Sequence, residues 1–175
     1  STYLTKHVNQ VCALPHVATG AIQAAGLTVV VDGVNSTGGI AVPQLLRALG
    51  VSSVEVINGS ADGQFSHNPE PLSENLEGLK SAVKEHSADL GIAVDPDVDR
   101  LAFVSEDGTY FGEEYTLVAV ADYLLAAKPG PVVANLSTTQ ALRDVVQAQG
   151  GSFYPSAVGE AHVVAQMKAT NAVLG

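Results

Sequence analysis

Cysteine is nearly absent from this chain: Cys12 stands alone. A single thiol excludes an intramolecular disulfide and a cysteine-built zinc cage, and it points to a reducing compartment, the cytoplasm. Basic side chains are scarce too, eight Lys and Arg against 18 Asp and Glu, for a formal charge of −10. With no basic cluster, nucleic acid is excluded as a partner, because its phosphates demand one. No run approaches the roughly 20 apolar residues that cross a bilayer, so no membrane partner is expected. The opening S-T-Y-L-T-K-H-V-N-Q lacks the basic-then-apolar layout of a signal peptide. In that setting the Asn-x-Ser/Thr sequons at Asn35, Asn58 and Asn135 read as coincidence. An acidic chain that handles anionic substrates must gather cations locally, from its few basic residues or from a metal.

Apolar residues make up 46% of the 175 and charged ones 15%, enough for a substantial core. Their periodicity alternates. Short helices are predicted over 2–12 and 16–25, separated at Leu14-Pro15. L-T-V-V-V-D (27–32) reads as a buried strand and G-V-N-S-T-G-G as the turn into a helix at about 40–49. Strands follow at 53–57, 88–95 and 101–105, with a polar loop through Pro71 and a helix from Ser73 to about His86. Glu106-Asp107-Gly108-Thr109 reads as a hairpin turn and 113–127 as a helix. After Pro129-Gly130 come strand 131–135, helix 138–148, strand 152–156 and helix 160–169. The expected fold is α/β: a three-layer αβα domain (1–128) with a mainly parallel, mixed sheet, followed by a partial second α/β unit (129–175).

The chemistry concentrates in D-P-D-V-D-R, where Asp95, Asp97 and Asp99 stand at i, i+2 and i+4 with Arg100 next. Three carboxylates this close repel one another unless a cation lies among them. Hard oxygen ligands suit Mg²⁺ or Ca²⁺ rather than zinc or copper, and Pro96 limits the loop's conformations. The EF-hand template is matched at Asp95, Asp97, Asp99 and Glu106, but Arg100 occupies the position of its required glycine and the flanks are strand-like. A solvated acidic turn is the plain alternative. The pair Ser66-His67 spells a nucleophile beside a base, and G-V-N-S-T-G-G lacks the G-x-G-x-x-G spacing of a dinucleotide site.

Five segments together carry a resemblance. G-I-A-V-D-P-D-V-D-R-L-A-F-V resembles the metal-binding loop of the α-D-phosphohexomutases, the phosphoglucomutase/phosphomannomutase superfamily. V-V-V-D-G-V-N-S-T-G-G and D-G-Q-F-S-H-N-P-E-P-L-S-E-N-L resemble stretches of that family's second domain. N-L-S-T-T and A-V-G-E-A-H-V-V-A-Q-M resemble the opening of its third, with a leaning toward the phosphoglucosamine-type branch.

The resemblance implies an isomerase that moves a phosphoryl group between a phosphoserine and a hexose phosphate, through a bisphosphorylated sugar. It implies that Asp95, Asp97 and Asp99 hold Mg²⁺, with the phosphoserine as a further ligand, and that Arg100 is catalytic, reaching the same phosphate. The phosphoserine belongs to the family's first domain, so Ser66 and His67 are expected to be loop residues and no nucleophile is expected in this chain. Ser137 stands where glucose- and mannose-type members carry a lysine. Gly159, Glu160 and His162 are candidates for a substrate-facing loop, or for a plain strand-to-helix turn. The chain is expected to be a middle portion of such an enzyme, inactive without the other domains, and to self-associate through 129–175. The rival expectation is a stand-alone α/β module that binds a divalent cation without catalysis.

Overall fold

A computed structural model describes residues 2–175. Helix α1 (Tyr3–Cys12) is capped by Thr2, whose hydroxyl accepts the Thr5 N–H, and α2 (Thr19–Ala25) follows. The first unit then winds β1 (Thr28–Asp32), α3 (Gly38–Leu49), β2 (Ser53–Ile57), α4 (Glu77–Glu85), β3 (Leu90–Val94) and β4 (Leu101–Ser105). The strands pair in the order β2-β1-β3-β4, parallel except for the antiparallel β3–β4 pair. The mixed, mainly parallel sheet matches the sequence expectation. The exception follows from chain length: β3 and β4 are joined by too few residues for a crossover helix.

The strand pattern explains the layers. Successive side chains point to opposite faces, so Val29, Val31, Ile92 and Val94 pack against Leu46 of α3. Val30, Ala93, Ala102 and Val104 pack on the other face, against Leu79, Ala82 and Val83 of α4 and the buried Leu76. β1, covered on both sides, is accordingly an unbroken apolar run up to Asp32.

Helix α2 starts at Thr19 rather than 16 and the start of α4 differs from expectation most. Ser73 does not cap α4: residues Ser73–Asn75 form a separate 3₁₀ turn, and the helix begins at Glu77. The Ser73 hydroxyl and carbonyl are engaged instead by Lys80 Nζ, at 2.9 and 2.8 Å, while Leu76 is drawn into the core between the two helical pieces.

The chain divides into two compact units, one ending at Glu113 and the other spanning Glu114–Gly175. The sequence reading places the change at Pro129-Gly130. That pair does end helix α5 (Glu113–Ala127), but Val118, Ala121 and Leu125 of α5 bury themselves against Val132, Ala134, Leu142 and Val146. A Pro-Gly break marks where a helix stops and carries no information about which core the helix serves. The second unit continues as β5 (Pro131–Asn135), α6 (Gln140–Ala148), β6 (Ser152–Ser156) and α7 (Glu160–Thr170), with β5 and β6 paired in parallel. Val173 and Leu174 return beside β5, where Val133 N–H donates to Leu174 O. Among the described residues no helix is long and apolar enough to cross a membrane.

Candidate metal centre

β1 is linked through α3 to β2 on one side, and β2 is linked through α4 to β3 on the other. The winding therefore reverses between β1 and β3, and the carboxyl ends of these two strands are the usual ligand position in such sheets. An aspartate stands at each of these ends, Asp32 as the last residue of β1 and Asp95 directly after β3, and both are buried in an otherwise apolar interior.

The aspartate loop folds back on itself just past β3. Val98 N–H donates to Asp95 O at 3.2 Å, and Arg100 N–H donates to Asp95 Oδ1 at 3.0 Å. One carboxylate oxygen each from Asp95, Asp97 and Asp99 lies within 4.8 Å of the others. That spread is close to the roughly 3–4 Å that separates ligands held about 2.1 Å from an octahedral cation. Val98 supplies the bend at φ 65°, a left-handed conformation that a β-branched residue adopts at a cost of about 1–3 kcal/mol. The strands on either side, β3 and β4, leave no room for the helix pair of an EF-hand.

Ionisation in the loop is uneven. Burial raises Asp95, but hydrogen bonds from the Arg100 N–H, Asp99 and Asp97 outweigh it and hold its carboxyl below the usual range. Asp99 is pushed up, first by its hydrogen bond with Asp95 and then by the charges of Asp97 and Asp95. The crowding of the three carboxylates thus favours a proton on Asp99, and a divalent ion among them would offset the same repulsion, so the donor set fits Mg²⁺ or Ca²⁺.

The loop is anchored from the β1–α3 turn. Ser36 Oγ and Thr37 Oγ1 both donate to Pro96 O, at 2.8 and 2.7 Å. The turn is itself tightly determined: Asp32 Oδ1 accepts from Val34 N–H and Asn58 Nδ2, each at 3.0 Å, and Val34 and Asn35 are both left-handed. Gly33 is indispensable to it. A Cβ there would lie 2.5 Å from the Gly39 backbone, and one on Gly39 would lie 2.8 Å from Gly59 Cα. The glycines of this motif serve backbone-on-backbone packing rather than a nucleotide.

Ser66 and His67 lie in the loop between β2 and α4. Ser66 is exposed; His67 Nε2 is 3.0 Å from Asp32 Oδ2 and its Nδ1 is 2.8 Å from Asn68 O. Arg100 pairs with Glu70 of the same loop, whose charge and hydrogen bond hold the guanidinium proton more firmly. The contributions of Asp32, Asn58, Glu70, Ser36 and Thr37 escaped the sequence reading. An aspartate closing an apolar strand was the available signal, but its partners lie 26 and 35 residues away.

In the second unit Gly159, with φ 120°, caps α7; Glu160 lies in its first turn and His162 N–H donates to Gly159 O at 3.0 Å. All three are exposed. A cavity of about 330 Å³ at the carboxyl end of β5 and β6 is lined by Asn135, Thr138, Thr139, Arg143 and neighbouring residues, and not by these three.

The family described as phosphoglucomutase/phosphomannomutase, alpha/beta/alpha domain II, matches residues 3–108, and its domain III matches residues 112–175. A "Probable phosphoglucosamine mutase" of Methanopyrus kandleri is 37% identical over 86% of this chain and 33% of its own length. A "Phosphomannomutase/phosphoglucomutase" of Pseudomonas putida is 34% identical over 85% of the chain and 32% of its own. The crystal structure of a phosphoglucomutase/phosphomannomutase family protein from Burkholderia thailandensis superimposes with a TM-score of 0.83 and 28% identity, over 98% of this chain and 37% of that one. The chain spans about a third of the length of the curated relatives it matches. With two successive domain matches in the family's order along the sequence, the chain belongs to the phosphoglucomutase/phosphomannomutase family.

Proposed function

We propose that this chain is the metal-carrying middle portion of a Mg²⁺-dependent phosphohexomutase, which exchanges a phosphoryl group between the 1- and 6-positions of a hexose phosphate. The observation that carries the reading is the convergence of Asp95, Asp97 and Asp99 beyond β3, where the winding of the sheet reverses. These residues would hold Mg²⁺, whose charge, when bound, offsets that of the transferring phosphoryl group. Arg100, joined to Asp95 through its own backbone N–H, presents a half-exposed guanidinium beside them for a phosphate oxygen. Ser36 and Thr37 keep the loop in register with the sheet. Gly159, Glu160 and His162 are assigned to the sugar, on the support of their exposure at one sheet end. The phosphoserine comes from a domain outside these residues, and Ser66 is not it. The relatives' names include glucosamine, mannose and glucose phosphates, which supports a hexose phosphate as substrate.

Titration of the chain with Mg²⁺, followed by the amide resonances of Asp95 and residues 97–100, tests the reading. Saturable shifts confined to the loop, weak because a ligand is missing, are the expected result; an absence of shifts at high Mg²⁺ overturns it. The chain alone is expected to show no mutase turnover, and activity from these 175 residues would refute the assignment of the nucleophile to another domain.

Residues 129–175 are also expected to associate between copies. Tyr154, Val158, Val164 and Val173 are exposed, and among the described residues β6 pairs with β5 alone. Sedimentation equilibrium should show a concentration-dependent dimer; a monomer at high concentration would remove this expectation.

A further inference from the structure

We infer that His67 is a positioning residue for Arg100, acting through Asn68 and Glu70. The inference rests on the reading that Arg100 meets a phosphate, but the coupling itself is a property of the loop and can be read without metal or substrate.

The connection is continuous. Asp32, 2% exposed at the end of β1, has its Oδ1 committed to Val34 N–H and Asn58 Nδ2, and its Oδ2 faces His67 Nε2. The other ring nitrogen meets Asn68 O at 2.8 Å. A carboxylate and a carbonyl oxygen can only accept, so the two ring nitrogens face one acceptor each. The ring therefore ties the polar loop between β2 and α4 to the buried end of β1. Asn68 passes the constraint on: its Oδ1 accepts Glu70 N–H at 3.3 Å. Glu70 is held from its far side as well, where Leu72 N–H and Asn75 Nδ2 both donate to its carbonyl at 2.8 Å. With the Glu70 backbone held on both sides, its carboxylate accepts from Arg100 Nη1.

An exposed ion pair contributes little to stability. The Glu70 and Arg100 side chains are 46% and 56% exposed, so the pair's value lies in orientation. A guanidinium aimed in advance loses less freedom when it meets a phosphate oxygen. The same geometry removes His67 from service as a base toward Ser66, because both ring nitrogens are already engaged.

The test reads the Arg100 side chain in the metal-free chain by ¹⁵N NMR. Its Nε–H resonance is assigned by its loss in Arg100→Lys, which leaves Arg47 and Arg143 in place. In the unsubstituted chain the Nε–H should show the positive heteronuclear NOE of an ordered group. Glu70→Gln and His67→Ala should each lower that NOE to the value of a free, exposed arginine. His67→Gln, which can donate to Asp32 but cannot also donate to Asn68, should give an intermediate value. If His67→Ala fails to fold because the buried carboxylate loses its donor, Asn68→Ala cuts the relay without touching Asp32 and should give the same loss. An Arg100 NOE unchanged in folded His67→Ala, or in Asn68→Ala, overturns the inference. Because no Mg²⁺ is present, failure of the metal reading in its own titration leaves this result intact.

Discussion

Asp97→Asn is expected to weaken Mg²⁺ binding by on the order of 100-fold, since even partners one step removed from a metal ligand are worth about 10–100-fold. The substitution keeps the size of the side chain, removes its charge and replaces one ligand oxygen by an NH₂ donor. Asp97 is the appropriate position: it is exposed, whereas Asp95 is buried and accepts the Arg100 N–H, so its loss would confound metal affinity with loop structure. Calorimetric titration of the two proteins is the measurement, and equal affinities would show that the metal, if bound, is bound elsewhere. The pH dependence is set by the neighbours. Asp99 is raised, so its proton stabilises the metal-free fold at the acid end, and that contribution is lost as pH climbs through its folded value. Asp95 is lowered, so its contribution is present above the ordinary carboxylate range and is lost as pH falls through its folded value. Mg²⁺ binding competes with protonation of these carboxyls. Its affinity should therefore rise with pH through the titration of Asp99, and a flat profile there would contradict the raised Asp99.

Gly33→Ala should destabilise the first unit by about 2–3 kcal/mol, at the upper end of what overpacking costs, because the new methyl meets backbone rather than a side chain that can turn away. Its Cβ would stand 2.5 Å from both Gly39 Cα and Gly39 N, and 3.2 Å from Asn58 O. For a unit of this size the melting temperature falls by roughly 10 °C or more. The displacement also has a direction: moving the start of α3 carries Ser36 and Thr37, and with them Pro96 and the aspartate loop. Amide shifts at Asp95 and at 97–100 should accompany the loss of stability. Gly78→Ala, in the first turn of α4 with nothing within 4 Å of its added methyl, is the control and should stabilise by up to about 1 kcal/mol. If Gly33→Ala melts with the unsubstituted chain and leaves the loop's resonances in place, the turn is not the anchor described.

The two positions differ in how they could be found. Asp95, Asp97 and Asp99 are i, i+2 and i+4 in one loop, so local chain geometry alone brings their carboxylates near a point. The strand V-V-V-D and the strand G-I-A-V-D were equally legible, since an unbroken apolar run of that length is a buried strand whatever surrounds it. The alternation of such runs with helical ones dictated an α/β fold with a mainly parallel sheet, and the family resemblance lay in the same local words.

Tertiary structure decided everything that joins one loop to another. His67 and Asp32 are 35 residues apart, Arg100 and Glu70 30, and Ser36 and Pro96 60. No periodicity reports such pairs, because each depends on the strand order that sets the ends of β1 and β3 side by side. Helix α5 is a second case: its apolar residues run round most of its circumference, so the pattern forms a helix without naming the face to bury. Only the presence of β5 and α6 made its Val118, Ala121 and Leu125 part of the second core. Composition and spacing act over a few residues of covalent chain, and they were sufficient for the elements and for the aspartate loop. The grip on that loop and on Arg100 is made across space, where the free energy of packing a whole sheet chooses the neighbours.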